Sequence, residues 1–134
     1  MIKEISEWIA KAVPNPTAKN ESVQIGCHFE EVAEMLEALG LHAQATIIHD
    51  IATAFKTCDI KYTVNRQELL DALADQVVTA TGVAHMFKLN ILGACKEVND
   101  SNWSKFVDGE PVFDANGKIA KGPNYFKPDL TKYV

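Results

Sequence analysis

Apolar residues recur at three- and four-residue intervals along the first 105 positions, and this spacing places them on one side of an α-helix. Together with the capping residues and turn signals that interrupt it, the pattern predicts five helices. They are expected at about residues 2–12, 23–39, 42–56, 66–88 and 91–103. The chain is therefore predicted to be all-α, as a bundle of about four to five helices.

Individual residues mark the ends of these helices. Pro14 and Pro16 follow the first helix and cannot continue it. Ser22 is the predicted N-cap of the second helix, and Gly40 is its predicted C-cap. Asn65 is the predicted N-cap of the long fourth helix. The helical part of the chain is expected to end near residue 105.

The last 29 residues have a different character. The segment DGEPVFDANGKIAKGPNYFKPDL contains the dipeptides Asp-Gly, Asn-Gly, Gly-Pro and Lys-Pro, all of which favour turns. Residues 112–113 and 118–119 flank the DANG turn and could pair as a small hairpin. We therefore interpret residues 1–134 as a single domain, with a helical part at 1–105 and a turn-rich, non-helical tail at 106–134.

Composition and charge narrow the class of protein. Of the 134 residues, 47% are hydrophobic, which excludes a disordered chain. The formal net charge is -5 and is unevenly placed, because residues 20–55 hold six acidic residues and neither Lys nor Arg. Nucleic-acid-binding proteins normally present a dominant basic face, so nucleic acid is not an expected partner.

Targeting and cysteine signals favour a cytoplasmic, soluble protein. The first twelve residues have no apolar core of the kind found in a secretory signal peptide. No apolar run reaches the length of a membrane span, so no membrane association is expected. Cys27, Cys58 and Cys95 are odd in number and lack zinc-ligand spacing, so we interpret them as reduced thiols.

Two triplets of acidic residues carry the candidate chemistry. They are Glu30, Glu31 and Glu34 in the second predicted helix, and Glu68, Asp71 and Asp75 in the fourth. Residues three or four apart on a helix are neighbours, so each triplet shares one face. No Lys or Arg occurs at residues 20–55 or at residues 67–87. The residues alone leave two interpretations open, a solvated surface or a site for a divalent cation such as Mg²⁺ or Mn²⁺.

Two further residues lie close to the acids in sequence. Gly82 is seven residues beyond Asp75 and so lies on the same side of the fourth helix. It predicts the close approach either of a ligand or of a neighbouring helix, and both remain open. His28 precedes the first triplet, and we interpret it as a hydrogen-bonded structural histidine.

Several segments resemble one protein family. VQIGCHFEEVAEMLEAL and ELLDALADQVVTATGVA resemble the two metal-binding helices of the MazG-like, all-α NTP pyrophosphohydrolases, in the branch grouped with phosphoribosyl-ATP pyrophosphohydrolase. EVNDSNWSKF and GKIAKGPNYFKPDL resemble the tail of small, often phage-encoded members. The resemblance covers most of the chain from about Trp8 onward. It implies a helical bundle whose sites form at subunit contacts, and hence a homodimer or homotetramer.

The resemblance also implies a set of metal ligands. The family's EExxE motif falls on residues 30–34, and the Asp of its ExxD motif falls on Asp75. The chain departs from the second motif, because Ala72 stands where the Glu is expected. Asp71 can replace it, and Glu68 with Asp71 is an alternative register. The implied ligands of Mg²⁺, or of Mn²⁺ in its place, are therefore Glu31, Glu34, Asp71 and Asp75.

The implied reaction is the hydrolysis of a (d)NTP to the (d)NMP and pyrophosphate. Glu30 is the candidate to orient or deprotonate the attacking water, with Glu31 as the alternative. The implied substrate-binding residues are Asn102, Lys105, Lys118 and Lys121. Two other functions remain open: a non-catalytic helical interaction protein, and a hydrolase of another small nucleotide such as phosphoribosyl-ATP.

Overall fold

The structure, a computed structural model, describes all 134 residues. Five α-helices and one short 3-10 helix form, and there is no β-strand, so the all-α prediction is confirmed. The α-helices are α1 (Ile2–Ala12), α2 (Ala18–Ala38), α3 (His42–Lys56), α4 (Arg66–Met86) and α5 (Ile91–Trp103), and the 3-10 helix is Thr131–Tyr133. No single helix is long and apolar enough to span a membrane. Only when α4 and α5 are taken together, as a bent pair, do they reach the length and composition of such a span.

The chain divides into two compact units, each built from separate segments. The first unit comprises Met1–Pro14, Thr63–Val112 and Ile119–Val134, and so contains α1, α4 and α5. The second unit comprises Asn15–Tyr62 and Phe113–Lys118, and so contains α2 and α3. The expectation of a single domain over residues 1–134 stays a prediction.

In the second unit, α2 and α3 form an antiparallel helical hairpin. Gly40 has a φ of +76° and ends α2, as predicted. Its N–H donates to the carbonyl of Glu37, and the N–H of Leu41 donates to the carbonyl of Leu36, both at 2.9 Å. These two bonds form a Schellman motif, in which the left-handed residue is usually glycine. The chain therefore reverses sharply after α2.

The start of α2 differs from the prediction. The helix begins at Ala18, because Thr17 and Asn20 form a capping box in which each side chain accepts a hydrogen bond from the other's backbone N–H. Ser22 is not the N-cap. It is buried one turn inside α2, and its hydroxyl donates to the carbonyl of Phe55 at 2.6 Å. The expected cap is thus a contact between the two helices.

Small residues line the contact between α2 and α3. Ala33, Ala45 and Ala52 are at most 1% exposed, and Gly26 is also buried. A Cβ at Gly26 would lie only 2.6 Å from the carbonyl oxygen of Ala52, a distance that atoms in real structures do not tolerate. The glycine is therefore required for the two helices to approach this closely.

Aromatic residues hold the first unit together. Trp8 stacks on Phe106 with ring centroids 5.9 Å apart, and Trp103 meets Phe106 edge-on at 5.4 Å. Ala12 is buried beside them, and Ile119 packs against the same cluster. The cluster fixes α1 on the end of α5, and both tryptophans of the chain belong to it or border it.

The tail folds back without forming strands. The N–H of Asp114 donates to the carbonyl of Lys118 at 2.8 Å, and the Asp114 carboxylate accepts from the N–H groups of Asn116 and Lys118. The DANG segment is therefore a closed turn, as predicted. Phe113 and Ile119 on its flanks are bridge residues, so the predicted pairing is present in part, but the flanks form no β-strands. In the first unit, Ser101 donates to the carbonyl of Phe126 and so fixes a later part of the tail on α5.

Helix α4 is the least covered element of the structure. It begins after Asn65, whose side chain caps it as predicted, and it continues for 21 residues. Only Ala84, near its C-terminal end, is buried. Leu69, Leu73 and Val77 follow one another at four-residue spacing and so share a face, yet each is between 42% and 49% exposed. An apolar face of this length is normally covered in a folded protein.

Candidate active site

Among the acidic residues of the two triplets, Glu30 is held by the most clearly defined side-chain contacts. One carboxylate oxygen accepts a hydrogen bond from the Nζ of Lys56 at 2.7 Å, and the other accepts from the Nζ of Lys118 at 3.0 Å. Its side chain is only 25% exposed. All three residues belong to the second unit, where Lys56 is the last residue of α3 and Lys118 closes the Asp114–Lys118 turn.

These contacts set the electrostatics around Glu30. The hydrogen bond from Lys56 holds the pKa of the Glu30 carboxyl below its usual value, with a further contribution from Lys118. The hydrogen bond to Glu30 raises the pKa of Lys118 in turn. Burial raises the pKa of the neighbouring Cys27 thiol, so this cysteine is kept in its unreactive form. Glu30 is therefore a firmly ionised carboxylate and a weaker proton acceptor than an ordinary glutamate.

The other two acids of α2 lie in a more open environment. Glu31 and Glu34 are both exposed, three residues apart on the same helix. Residues at this spacing share a helix face, with Cβ atoms about 5–6 Å apart. His28 is also exposed and takes part in an interaction, as does Glu31.

The acids of α4 share one exposed face. Glu68, Asp71 and Asp75 are all exposed, and helical geometry places them roughly opposite the stripe formed by Leu69, Leu73 and Val77. They belong to the first unit. In neither unit do three or more His, Cys, Asp or Glu side chains converge on one point.

The predicted substrate-binding residues fall into two groups. Lys118 contacts Glu30 in the second unit, whereas Asn102, Lys105 and Lys121 belong to the first unit. Asn102 and Lys105 are partly buried, and the Nζ of Lys105 lies 5.8 Å from the ring centre of Trp8. The Nζ of Lys121 lies 4.9 Å from the ring centre of Tyr125. Both lysines are thus placed against aromatic rings.

Lys56 is the residue that the sequence pattern did not reveal. The acidic stretch was expected to lack a basic partner because no Lys or Arg occurs between residues 20 and 55, yet Lys56 follows directly and pairs with Glu30 from 26 positions away. A signal was present. A hairpin that turns at Gly40 and Leu41 brings the end of α3 back beside the first half of α2, so a lysine at position 56 lies within reach of position 30.

Comparisons with known proteins give no independent support for a family. No family model, no curated protein and no solved structure matches this chain. The resemblance to the MazG-like hydrolases therefore stays a prediction.

Proposed function

We propose that this chain is a Mg²⁺-dependent nucleoside triphosphate pyrophosphohydrolase, which converts a (d)NTP and water to the (d)NMP and pyrophosphate. One contact carries the proposal. Glu30, the candidate for handling the attacking water, is in direct contact with Lys118, a candidate phosphate ligand 88 positions later in the chain. A carboxylate and a lysine brought together from such distant segments suit a site that must handle water and phosphate side by side.

The acidic residues fit the proposed metal by their chemistry. Mg²⁺ prefers oxygen ligands, and it is commonly bound by one or two carboxylates together with water and substrate phosphates. Glu31 and Glu34 form one such pair, and Asp71 and Asp75 form another. These four residues are the proposed Mg²⁺ ligands, and Mn²⁺ would be bound by the same oxygen atoms in its place. The bound ion would neutralise charge on the phosphate oxygens.

The two candidate catalytic carboxylates receive different roles. Glu30 is held by two ammonium groups and has a lowered pKa, so it suits orienting the water by a hydrogen bond rather than taking its proton. Glu31, the next residue and exposed, is the proposed base. Lys118, Lys105 and Lys121 would pair with phosphate oxygens.

Asn102 completes the proposed substrate contacts. It is the last-but-one residue of α5 and is partly buried, so its amide is held on a rigid element. An amide at such a position can donate to a phosphate or sugar oxygen.

A nucleotide panel tests the proposed reaction. Ribo- and deoxyribonucleoside triphosphates and phosphoribosyl-ATP are incubated with the full chain and Mg²⁺ or Mn²⁺, and released pyrophosphate and orthophosphate are measured separately. We expect pyrophosphate and a monophosphate, since attack at the α-phosphate releases both. Release of orthophosphate alone would mean a different hydrolase, and no release from any nucleotide would refute the proposal.

A non-catalytic interaction protein is the second candidate, and the exposure of α4 favours it. Its apolar stripe suits a protein surface, and Glu30 is already neutralised by lysines without any metal. Thermal unfolding with and without millimolar Mg²⁺ separates the two candidates, because an ion that binds only the folded state raises the melting temperature. An unchanged melting temperature would favour the interaction protein.

The same stripe leads us to propose a homodimer or homotetramer. Leu69, Leu73 and Val77 leave an apolar face of α4 open to water in the single chain. Burying a leucine side chain contributes about 1.5–3 kcal/mol, so a second copy of the chain would gain by covering this face. The acidic face of α4 lies on the other side and would stay available for a ligand.

A further inference from the structure

We propose that Lys56 is a positioning residue for Glu30. The inference rests on the proposed function, in which Glu30 orients the attacking water. It assigns a role to a lysine that belongs to none of the motifs in the sequence and that lies on α3, a helix carrying no predicted site residue.

The path of the Lys56 side chain is defined by a glycine. If Gly26 had a Cβ, that atom would lie 2.6 Å from the Cγ of Lys56 and 3.0 Å from its backbone nitrogen. The aliphatic stem of the lysine therefore lies directly on the surface that the glycine leaves open. Glu30 is one helical turn beyond Gly26 on the same face of α2, so the ammonium group emerges beside its carboxylate.

The backbone of Lys56 is itself held in place. The residue before it, Phe55, accepts a hydrogen bond from the buried Ser22 hydroxyl at 2.6 Å. The Phe55 ring stacks on Phe29, with centroids 5.7 Å apart. Both contacts join the end of α3 to α2 on either side of Gly26. The backbone of Lys56 is thus fixed against α2, and its side chain reaches Glu30 from that position.

Lys118 contacts Glu30 from a different kind of position. Its side chain is 41% exposed, whereas that of Lys56 is 22% exposed. It lies at the end of a turn that is stabilised by its own hydrogen bonds. A phosphate group can therefore compete for Lys118 from solvent, while Lys56 is covered.

The two lysines accordingly have separate tasks. Lys56 binds one carboxylate oxygen of Glu30, and Lys118 binds the other. When Lys118 moves to a substrate phosphate, the Glu30 carboxylate oxygen that it had bound becomes available to a water molecule. Lys56 keeps the carboxylate in the same orientation during that exchange, and orientation of a reacting group is a large part of catalysis.

Steady-state kinetics of four variants tests this division. Lys56→Met keeps the length of the stem but removes the charge, Lys56→Arg restores a cation, and Lys118→Met removes the exposed lysine. Lys19→Met, at an exposed position of α2, is the matched control. We expect Lys56→Met to lower kcat by ~100-fold with little change in KM, the size of loss that misplacement of a reacting group causes. Lys56→Arg should recover part of kcat, Lys118→Met should mainly raise KM, and Lys19→Met should resemble the wild type.

A second measurement does not depend on activity. Unfolding of Lys56→Met, Glu30→Gln and the double variant forms a double-mutant cycle, and we expect a coupling between the two positions. The inference is overturned if the wild type is active and Lys56→Met leaves kcat unchanged, if the fall in kcat only parallels a loss of folded protein, or if the cycle shows no coupling. A wild type that releases no pyrophosphate would overturn the proposed function itself, and that result is distinct from the other three.

Discussion

Helices α2 and α4 have the same length and the same kind of acidic triplet, yet their surroundings differ. Each has 21 residues. In α2 the neighbouring α3 covers one face, and one of the acids receives two lysines. In α4 a single residue is buried, and both the acidic face and the apolar stripe are open. Similar acidic triplets along a sequence therefore do not imply equal environments, because a partner element decides which charges are neutralised.

The largest effect is expected from substitutions that ask whether α2 and α4 both contribute residues to one reaction. We expect Glu34→Gln on α2 and Asp75→Asn on α4 each to lower pyrophosphate release by ~100-fold or more, because each removes a charge proposed to bind the metal at the active site. Helix content by circular dichroism should not change. Glu21→Gln, an exposed acid in the first turn of α2, is the control. Wild-type turnover in either variant would show that the substituted carboxylate is not a metal ligand.

The role of the apolar stripe of α4 is tested by substituting one of its residues and measuring the oligomeric state. We expect Leu73→Glu to shift an oligomer toward monomer, because losing about 2 kcal/mol of burial raises the dissociation constant about 30-fold. Light scattering after size-exclusion chromatography measures the mass. Gln67→Glu adds the same charge to α4 outside the stripe and should leave the mass unchanged. A wild type that is already monomeric would contradict the proposal.

Alanine substitutions at two glycines, Gly26 in α2 and Gly82 in α4, compare the packing around the two helices directly. At Gly26 a Cβ would meet the α3 backbone, so Gly26→Ala should lower the free energy of unfolding by ~1–3 kcal/mol. At Gly82 there is nothing within 4 Å, so Gly82→Ala should raise it by up to about 1 kcal/mol through helix propensity. Urea unfolding measures both. A destabilised Gly82→Ala would instead reveal a ligand or helix that approaches this side of α4.

The smallest expected effect concerns pH. The pKa of Glu30 is lowered in the folded protein, so its ion pairs stabilise the fold above the ordinary pKa of a glutamate. This stabilisation is lost as the pH falls through the lowered value. We expect wild type to lose up to ~1 kcal/mol more than Glu30→Gln between pH 7 and pH 3, the range for partly exposed ion pairs. Equal losses in urea unfolding would show that the lysine contacts do not stabilise the folded state.

Local patterns predicted most of the secondary structure. The helices α1, α3 and α5 begin and end where the apolar spacing indicated, and Gly40 and Asn65 cap as expected. The error at the start of α2 has a cause that is distant in sequence. Thr17 and Ser22 are both suitable N-caps by residue type, and Ser22 is engaged by a residue 33 positions away. The capping box that Thr17 forms with Asn20 and the packing of α3 on Ser22 together distinguish them.

The site was less accessible to prediction, because its contacts are distant in sequence. The acidic residues are visible in the sequence, but the pairing of Glu30 with Lys56 depends on the register of a helical hairpin. Its pairing with Lys118 depends on where a turn 88 residues later comes to lie. For Glu30, the absence of a nearby Lys or Arg in sequence did not indicate a metal, since its cations come from outside α2.

The position of the aromatic cluster makes the two units separately observable by spectroscopy. Trp8 and Trp103 both belong to the first unit, and the second unit has no tryptophan. Tryptophan fluorescence therefore follows the melting of the first unit, whereas the far-ultraviolet circular dichroism signal sums helices from both units. Coincident midpoints would mean that the chain melts as one cooperative system, and separate midpoints would mean that the helical hairpin and the remaining helices are thermodynamically independent.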